Sequence, residues 1–560
     1  MEKVKRAVAI AAAALIAMGM TGCSDTEASD TASAGSTSSE AADSGETVLK
    51  VGYVQEPSSF DPADFTSISS VLTGYDCYDT ILNFSEDGTT VVPGLAESWE
   101  QVDELTYTYK FRDGIKFTDG NELTMEDVLY SLNRVSDQGY YMSYLFAAVE
   151  SFEADEETRT LTVHLSYPDS TWMFVPATSP CCILEKSVAE AEGDSYGTVD
   201  GSTVGTGPYK LVSWSSGSEI VLEKNEDWWG DADTLDIDRI EYYIIEDESA
   251  LALAAKSGQV DFVYGVSNDV KSVYDTISDM TVLTCNGTTL HYLAFNTAQE
   301  PFNDVNARKA VISCIDKSQI TSIIGGAYAN EAPTGIISES MMYMDEDLWA
   351  STIEAADVYT QDYDKAAKYL AQSAYPDGFT FDYYCTSANV KQAELLKSMI
   401  DASGSITMNI VEVAASEIFS YMFGYNVDEN GDRYYDAVGT YWMSDFLDPI
   451  GVFNPLYGSE NIYEGGTNQA LWSSAEADEY ISSASVTSDY SEKMANYTEA
   501  YKIYADECPY LALYSVLDTY AVNNGFSYTP SPMFWYNFTA YSSALLPCAP
   551  VRIFITFSTS

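Results

Sequence analysis

Histidine and basic residues are scarce in this 560-residue sequence. It has 2 histidines, and 26 lysines and arginines against 86 aspartates and glutamates, so its formal net charge is −60 at pH 7. A surface of that sign repels polyanions, which argues strongly against nucleic acid as a partner. The two histidines, His164 and His291, lie far apart, and no HExxH motif occurs. A histidine-dependent hydrolase or metal site is therefore poorly supported.

Sequence motifs for phosphate, metal or redox chemistry are also missing. There is no CxxC pair, and the glycines at 205 and 207 lack the GxGxxG spacing. Residues 426–437 begin like a calcium loop, but Ala437 stands where the bidentate glutamate belongs, so we interpret Asn430-Gly431 as a hairpin turn. Several of the cysteines beyond residue 23 lie in apolar surroundings and look like small buried residues. Disulfides are permitted in an extracytoplasmic protein, but the sequence does not assign them. We expect no catalytic residue, no metal and no cofactor.

Long hydrophobic runs are absent, and the strongest apolar segment lies at the start of the chain. Lys3, Lys5 and Arg6 precede an uncharged run over residues 7–20, which is typical of a signal peptide and shorter than the ~20 residues of a membrane span. The run ends in Met-Thr-Gly-Cys at 20–23, which resembles a bacterial lipobox and makes Cys23 the expected lipid anchor. An ordinary secretory signal with a chance cysteine is the alternative.

Residues 24–47 contain almost only Ser, Thr, Ala, Gly, Asp and Glu, so we expect a disordered tether. The rest of the chain is long enough for several subdomains. Period-two patterns predict strands, and 3.6-residue patterns predict helices, one of them capped by Asp364. Thr124 and Asp127 resemble a capping box. The predicted strands cover 49–53, 107–111, 160–165, 219–223 and 291–295, and the predicted helices cover 305–315, 364–374 and 497–504.

A series of short motifs then follows in a fixed order. The motifs are PGLAESW (93–99), YTYKFRDGIKF (107–117), LTMEDV (123–128), GTGPY (205–209), WWG (228–230), GQVD (258–261), FNT (295–297) and PFND (301–304). Together they resemble the oligopeptide, dipeptide and nickel class (family 5) of ABC-importer solute-binding proteins.

The resemblance implies an α/β fold of the two-lobed periplasmic-binding-protein-like type II, with an extra inserted subdomain. Two hinge strands would join the lobes around a ligand cleft. Lobe one would comprise residues 48–285, with the inserted subdomain at about 75–195, and a return segment at 510–544. Lobe two would comprise 286–509. The tail at 545–560 matches nothing in the family pattern.

The segment YWMSDFLDP (441–449) bears on the ligand. Peptide-binding members of the family carry a similar run whose first aspartate holds the peptide ammonium, which implies ligand-binding roles for Trp442 and Asp445. The alternative is that Trp442 is a core residue and Asp445 caps the next helix. Asp448 looks like a helix cap. Lys391 is a candidate for the peptide carboxylate, although most lysines are solvated surface residues.

The sequence therefore predicts a monomeric, non-enzymatic receptor that binds a short peptide ligand and passes it to ABC transporter permease subunits. It would be extracytoplasmic, held at the outer face of the bacterial cytoplasmic membrane by a lipid on Cys23. An oligosaccharide or a metal chelate is an alternative ligand, because the 43 tyrosines suit sugar stacking equally well. An extracytoplasmic hydrolase with paired carboxylates is the alternative of another class.

Overall fold

The computed structural model describes residues 46–65, 67–138, 140, 142–230, 232–332, 341, 360–414, 417–487, 489–533 and 542–543. The signal peptide at 1–23, Cys23, all but the last two residues of the tether, and the tail at 545–560 lie outside this part of the chain. From Glu46 onward the chain forms one compact unit. Within the described residues, no helix is both long and apolar enough to cross a membrane.

The strands are, in chain order, β1 (Val48–Tyr53), β2 (Leu82–Phe84), β3 (Val91–Pro93), β4 (Ala96–Asp103), β5 (Thr106–Phe111), β6 (Val149–Asp155), β7 (Thr160–Leu165), β8 (Tyr209–Ser215), β9 (Glu219–Lys224), β10 (Arg239–Ile244), β11 (Phe262–Tyr264), β12 (Met280–Phe295), β13 (Ala329–Glu331), β14 (Phe379–Thr386), β15 (Ile406–Val413), β16 (Ala437–Met443), β17 (Tyr510–Asn523), β18 (Phe526–Ser527) and β19 (Ser542–Ser543).

The α-helices are α1 (Ile68–Tyr75), α2 (Met125–Gln138), α3 (Lys186–Glu192), α4 (Glu248–Lys256), α5 (Lys271–Tyr274), α6 (Val305–Ile312), α7 (Lys317–Ile320), α8 (Tyr363–Gln372), α9 (Val390–Asp401), α10 (Ile418–Met422), α11 (Ile450–Tyr457), α12 (Ala475–Val486) and α13 (Tyr490–Glu507).

One large mixed sheet runs through the molecule. Its strand order is β15-β14-β16-β12-β17-β11-β1-β10-β9-β8, and β13 also pairs with β17. The two longest strands, β12 and β17, lie side by side at its centre and run antiparallel. A separate four-stranded sheet, β4-β5-β7-β6, lies within the stretch predicted as an inserted subdomain.

The register between β12 and β17 breaks in the middle. Met280–Asn286 pair with the second half of β17, and pairing resumes four residues later, where Leu290 lies opposite Ser515. The first half of the pair continues through β11 to β1, and the second half continues through β16 to β14. The irregular stretch lies beside the expected boundary at 285/286. The lobe boundaries themselves stay a prediction.

All five predicted strands are confirmed, as β1, β5, β7, β9 and the second half of β12. Residues in β5 and β7 alternate between buried and half-buried, which is what a period-two pattern requires of a strand packed on one face. The capping box of α2 is confirmed as well. The Asp127 carboxylate accepts from the Thr124 amide at 2.9 Å, and the Asp127 amide donates to Thr124 Oγ1 at 3.3 Å.

The prediction that Asp364 caps a helix over 364–374 is wrong in its details. Helix α8 begins one residue earlier, and Asp362 is the N-cap, because its extended backbone lets its carboxylate accept from the Lys365 amide. Asp364 lies in the first turn instead. Helix α6 begins as predicted after Asp304, which caps it, but ends at Ile312. The third predicted helix, 497–504, lies inside the longer α13.

The seven described cysteines are free thiols, and six of them are buried, which confirms their interpretation as small buried residues. They are Cys77, Cys181, Cys182, Cys285, Cys314, Cys385 and Cys508.

Candidate functional site

Trp442 lies near the end of strand β16, next to the central strand β12, and a loop follows it. Trp442 lies opposite Leu290 of β12. Its indole Nε1 donates to the backbone oxygen of Gly451 at 2.9 Å, and the ring is half-buried against the core. The indole thus fixes residues 444–451 to the end of β16 and still presents part of its surface.

Asp445 is the first acidic residue of that loop, and it meets a residue from a distant part of the chain. The hydroxyl of Tyr144 donates to Asp445 Oδ2. No lysine, arginine or histidine in the described part of the chain forms an ion pair with Asp445. Burial raises the pKa of Asp445 to about 6, and the Tyr144 hydrogen bond opposes this shift only in part.

Asp448 has different surroundings, although it lies only three residues further on. Its Oδ1 accepts from the amide of Ile450, the first residue of α11, at 3.0 Å, and from the Tyr497 hydroxyl at 2.6 Å. Lys493 lies 2.5 Å from its Oδ2 in a buried ion pair. The helix-capping role is therefore filled by Asp448, as predicted, and the alternative that Asp445 caps this helix is wrong.

Two residues from the part of the chain that holds the small sheet, Tyr144 and Phe174, contact the loop of Asp445. Phe174 stacks on Phe446, with ring centroids 5.6 Å apart and an interplanar angle of 14°. The amide of Ser170 donates to the backbone oxygen of Ser485 at 2.6 Å. Asp445 therefore lies between two parts of the chain, at the kind of place where a bound ligand would touch both.

Lys391 lies elsewhere, at the start of α9, where it is exposed at a cavity of about 420 Å³. The residues that line this cavity come from 264–269, 289–291, 324–328, 388–392 and 514–519, and they include neither Trp442 nor Asp445. The two places are neighbours through the sheet, because His291 of the cavity lies opposite Tyr441 of β16. Trp442 and Asp445 thus lie three residues apart at the end of β16, and Lys391 lies at a cavity whose lining includes neither.

Sequence reasoning missed Tyr144 and Asp518. Tyr144 lies 301 residues before Asp445, and no spacing rule connects positions so far apart. Asp518 lines the cavity with Lys391, but it occurs in an apolar strand where nothing in the local pattern marks it.

Comparisons with known proteins cover most of the chain. The sequence profile of "Bacterial extracellular solute-binding proteins, family 5 Middle" matches residues 90–464, about two thirds of the chain. The probable D,D-dipeptide-binding periplasmic protein DdpA of Escherichia coli (strain K12) is 25% identical, over 86% of this chain and 92% of its own. Heme-binding protein A of Haemophilus influenzae is 24% identical, over 91% and 93%.

Among solved structures, the periplasmic binding protein DppA of Helicobacter pylori in complex with the peptide STSA superposes with a TM-score of 0.74. The sequences are 23% identical, and the match covers 89% of this chain and 98% of that one.

Proposed function

The chain belongs to the bacterial extracellular solute-binding proteins of family 5, and on this premise we propose that it binds a short peptide whose free ammonium pairs with Asp445. Family membership itself gives the coarser statement. The chain is an extracytoplasmic binding protein with a two-lobed α/β fold of type II, not an enzyme, and relatives of this kind work with ABC transporters. The sequence alternative of a hydrolase is therefore dropped.

One observation carries the peptide proposal, namely that no basic side chain among the described residues pairs with Asp445. A half-buried carboxylate with a raised pKa is unfavourable unless a cation pairs with it. Asp445 has a hydroxyl donor, Tyr144, that orients it. An incoming ammonium would form an ion pair with the carboxylate. The attraction within this pair would offset the free energy lost when the carboxylate is desolvated.

Trp442 and Lys391 have secondary roles in the proposal. The exposed part of the Trp442 ring would flank the ammonium. Lys391 would take the peptide carboxylate at the rim of the neighbouring cavity. The peptide backbone between them would pair as an added strand, which tolerates varied side chains.

Delivery and location form the rest of the proposal. We propose that Cys23 carries a lipid, that residues 24–47 tether the binding unit to the membrane, and that the loaded monomer docks on ABC transporter permease subunits. The basic, apolar and small residues that precede Cys23 occur in the order that such a signal requires.

A metal chelate is the second candidate ligand, because one relative that spans most of this chain is named a heme-binding protein. Peptide ligands are favoured by the names of DdpA and of the DppA complex. An oligosaccharide has no such support and would not need the Asp445 charge.

Calorimetry with short peptides tests the proposal. We expect Asp445→Asn to weaken the binding of free-amine peptides by about 1.5–3 kcal/mol, because a charge-assisted contact is lost. N-acetylated peptides should bind wild type weakly and should not distinguish the two proteins. Asp432→Asn, which changes an exposed carboxylate in another loop, is the matched control. Equal affinities in wild type and Asp445→Asn would disprove the role of Asp445.

A further inference from the structure

The cavity beside β12 and β17 contains a second carboxylate that pairs with no basic side chain in the described part of the chain. Its volume of about 420 Å³ lies in the range of small-ligand pockets, ~300–1,000 Å³. Asp518, in β17, lines it and is only 6% exposed. The Tyr264 hydroxyl donates to Asp518 Oδ1 at 3.2 Å, whereas Oδ2 is buried and accepts no hydrogen bond from any residue that the structure describes.

The ionised form of Asp518 is energetically unfavourable at this buried position. Burial raises the pKa of Asp518 to about 7. Within the described ranges no basic side chain forms an ion pair with it. Buried carboxylates are usually paired, so an unsatisfied carboxylate oxygen on a residue that lines a cavity indicates a partner that arrives with the ligand.

Gly287 lies against Asp518 Oδ2. It lies in the irregular stretch between Asn286 and Leu290, next to β17. A Cβ atom at position 287 would come within 2.8 Å of Asp518 Oδ2 and of the Val516 backbone oxygen. Any other residue there would crowd the carboxylate, so glycine preserves the space beside it.

The remaining lining suits a positive group. His291 stacks on Tyr514, with centroids 4.6 Å apart and an interplanar angle of 12°. Burial lowers the pKa of His291 to about 4, so the ring is neutral at pH 7. Its Nδ1 is buried and has no hydrogen-bond partner among the described residues, which leaves a second acceptor when the proton is on Nε2. The charged residues Lys391 and Asp269 are exposed at the rim.

We propose that this cavity is a subsite for a cationic side chain of the ligand, an ammonium or a guanidinium, with Asp518 as its counter-ion. The inference rests on the proposed function, since it takes the ligand to be a peptide. A lysine or arginine side chain would then fill the cavity, with the carboxylate terminus of the peptide near Lys391. The substrate class narrows to basic peptides.

Peptide pairs that differ in one charge test the subsite. Alanine tripeptides in which each position in turn carries lysine or its uncharged analogue norleucine are titrated into the full chain by calorimetry. At one position, the lysine peptide should bind wild type at least about tenfold more tightly than the norleucine peptide. This comparison needs no variant, so it holds even if a substitution in β17 impairs folding.

Two variants locate the effect. Asp518→Asn should bring the ratio of lysine-peptide to norleucine-peptide affinity to about one. Asp432→Asn, which removes an exposed carboxylate that does not line the cavity, should keep the preference. Equal binding of lysine and norleucine peptides to wild type at every position would overturn the subsite. The proposed function would survive that result as long as Asp445→Asn weakened both peptides.

A probe without a peptide bond distinguishes failure of the peptide-binding proposal from failure of the cation subsite. If no tripeptide bound wild type, the proposed function would fall, and agmatine, a small cation with an ammonium and a guanidinium, would decide the subsite. A rise in the Tm of wild type with agmatine that Asp518→Asn lacks would support the subsite. Equal Tm shifts in the two proteins, including none, would overturn it.

Discussion

Asp445 and Asp448 lie in one loop and differ in what surrounds them. Asp448 has a lysine, a tyrosine and a helix amide as partners, whereas Asp445 has one tyrosine hydroxyl. The Asp448 carboxylate is therefore satisfied by the fold itself. The Asp445 carboxylate has room for one more donor, and this difference separates a structural residue from a proposed ligand residue.

Stability should follow the same division. Asp448→Asn breaks the buried ion pair with Lys493 and should lower the free energy of unfolding by about 3–5 kcal/mol. Asp445→Asn should change it by less than about 1 kcal/mol, because no folded-state cation is lost. Urea and thermal unfolding of both variants measure this. Adding Lys493→Met to Asp448→Asn should recover part of the loss; a destabilisation by Asp445→Asn as large as that by Asp448→Asn would contradict the assignment.

The residue scale also shows how far sequence reasoning reaches. The spacing of Trp442, Asp445 and Asp448 indicated a cap and a candidate anchor, and the structure confirms Asp448 as the cap. Tyr144 and Gly287 could not be found in this way, because each matters through a contact with a residue more than 200 positions away. Such contacts depend on how distant segments pack, which no local pattern encodes.

Helices and strands were easier to predict than side-chain contacts, because the sequence patterns that indicate them are local. Strands β5 and β7 follow from alternation along six residues each. The capping error at α8 has a local cause too: Asp362 and Asp364 are both acceptable caps by residue type, and only the backbone angles of Asp362 decide between them. The break between β12 and β17 had no sequence signal other than Gly287.

Helix α2 allows a test at this scale. Thr124→Ala removes the hydroxyl that accepts from the Asp127 amide and should lower the free energy of unfolding by about 1 kcal/mol. Ser482→Ala, at an exposed position within α12, is the control and should be neutral or slightly stabilising. Urea unfolding of the two variants should differ in this order. No loss in Thr124→Ala would show that the capping box does not stabilise α2.

At the scale of the whole molecule, motif order along the chain predicted the family and the fold, and both are confirmed. The ligand could not be predicted as firmly, because relatives with this fold carry names for peptide and heme ligands alike. The net charge of −60 favours cationic over anionic ligands through the long-range field, in the same sense as Asp445 and Asp518 do at short range.

The central claim is that the ligand is a short peptide, and native mass spectrometry tests it most directly. The full-length protein, purified without denaturation and then incubated with a library of short peptides, should show adducts with peptide masses at one ligand per chain. Asp445→Asn should lose most of them under the same conditions. An adduct with the mass of a sugar or a metal chelate, or wild type that stays unchanged by the library, would contradict the account.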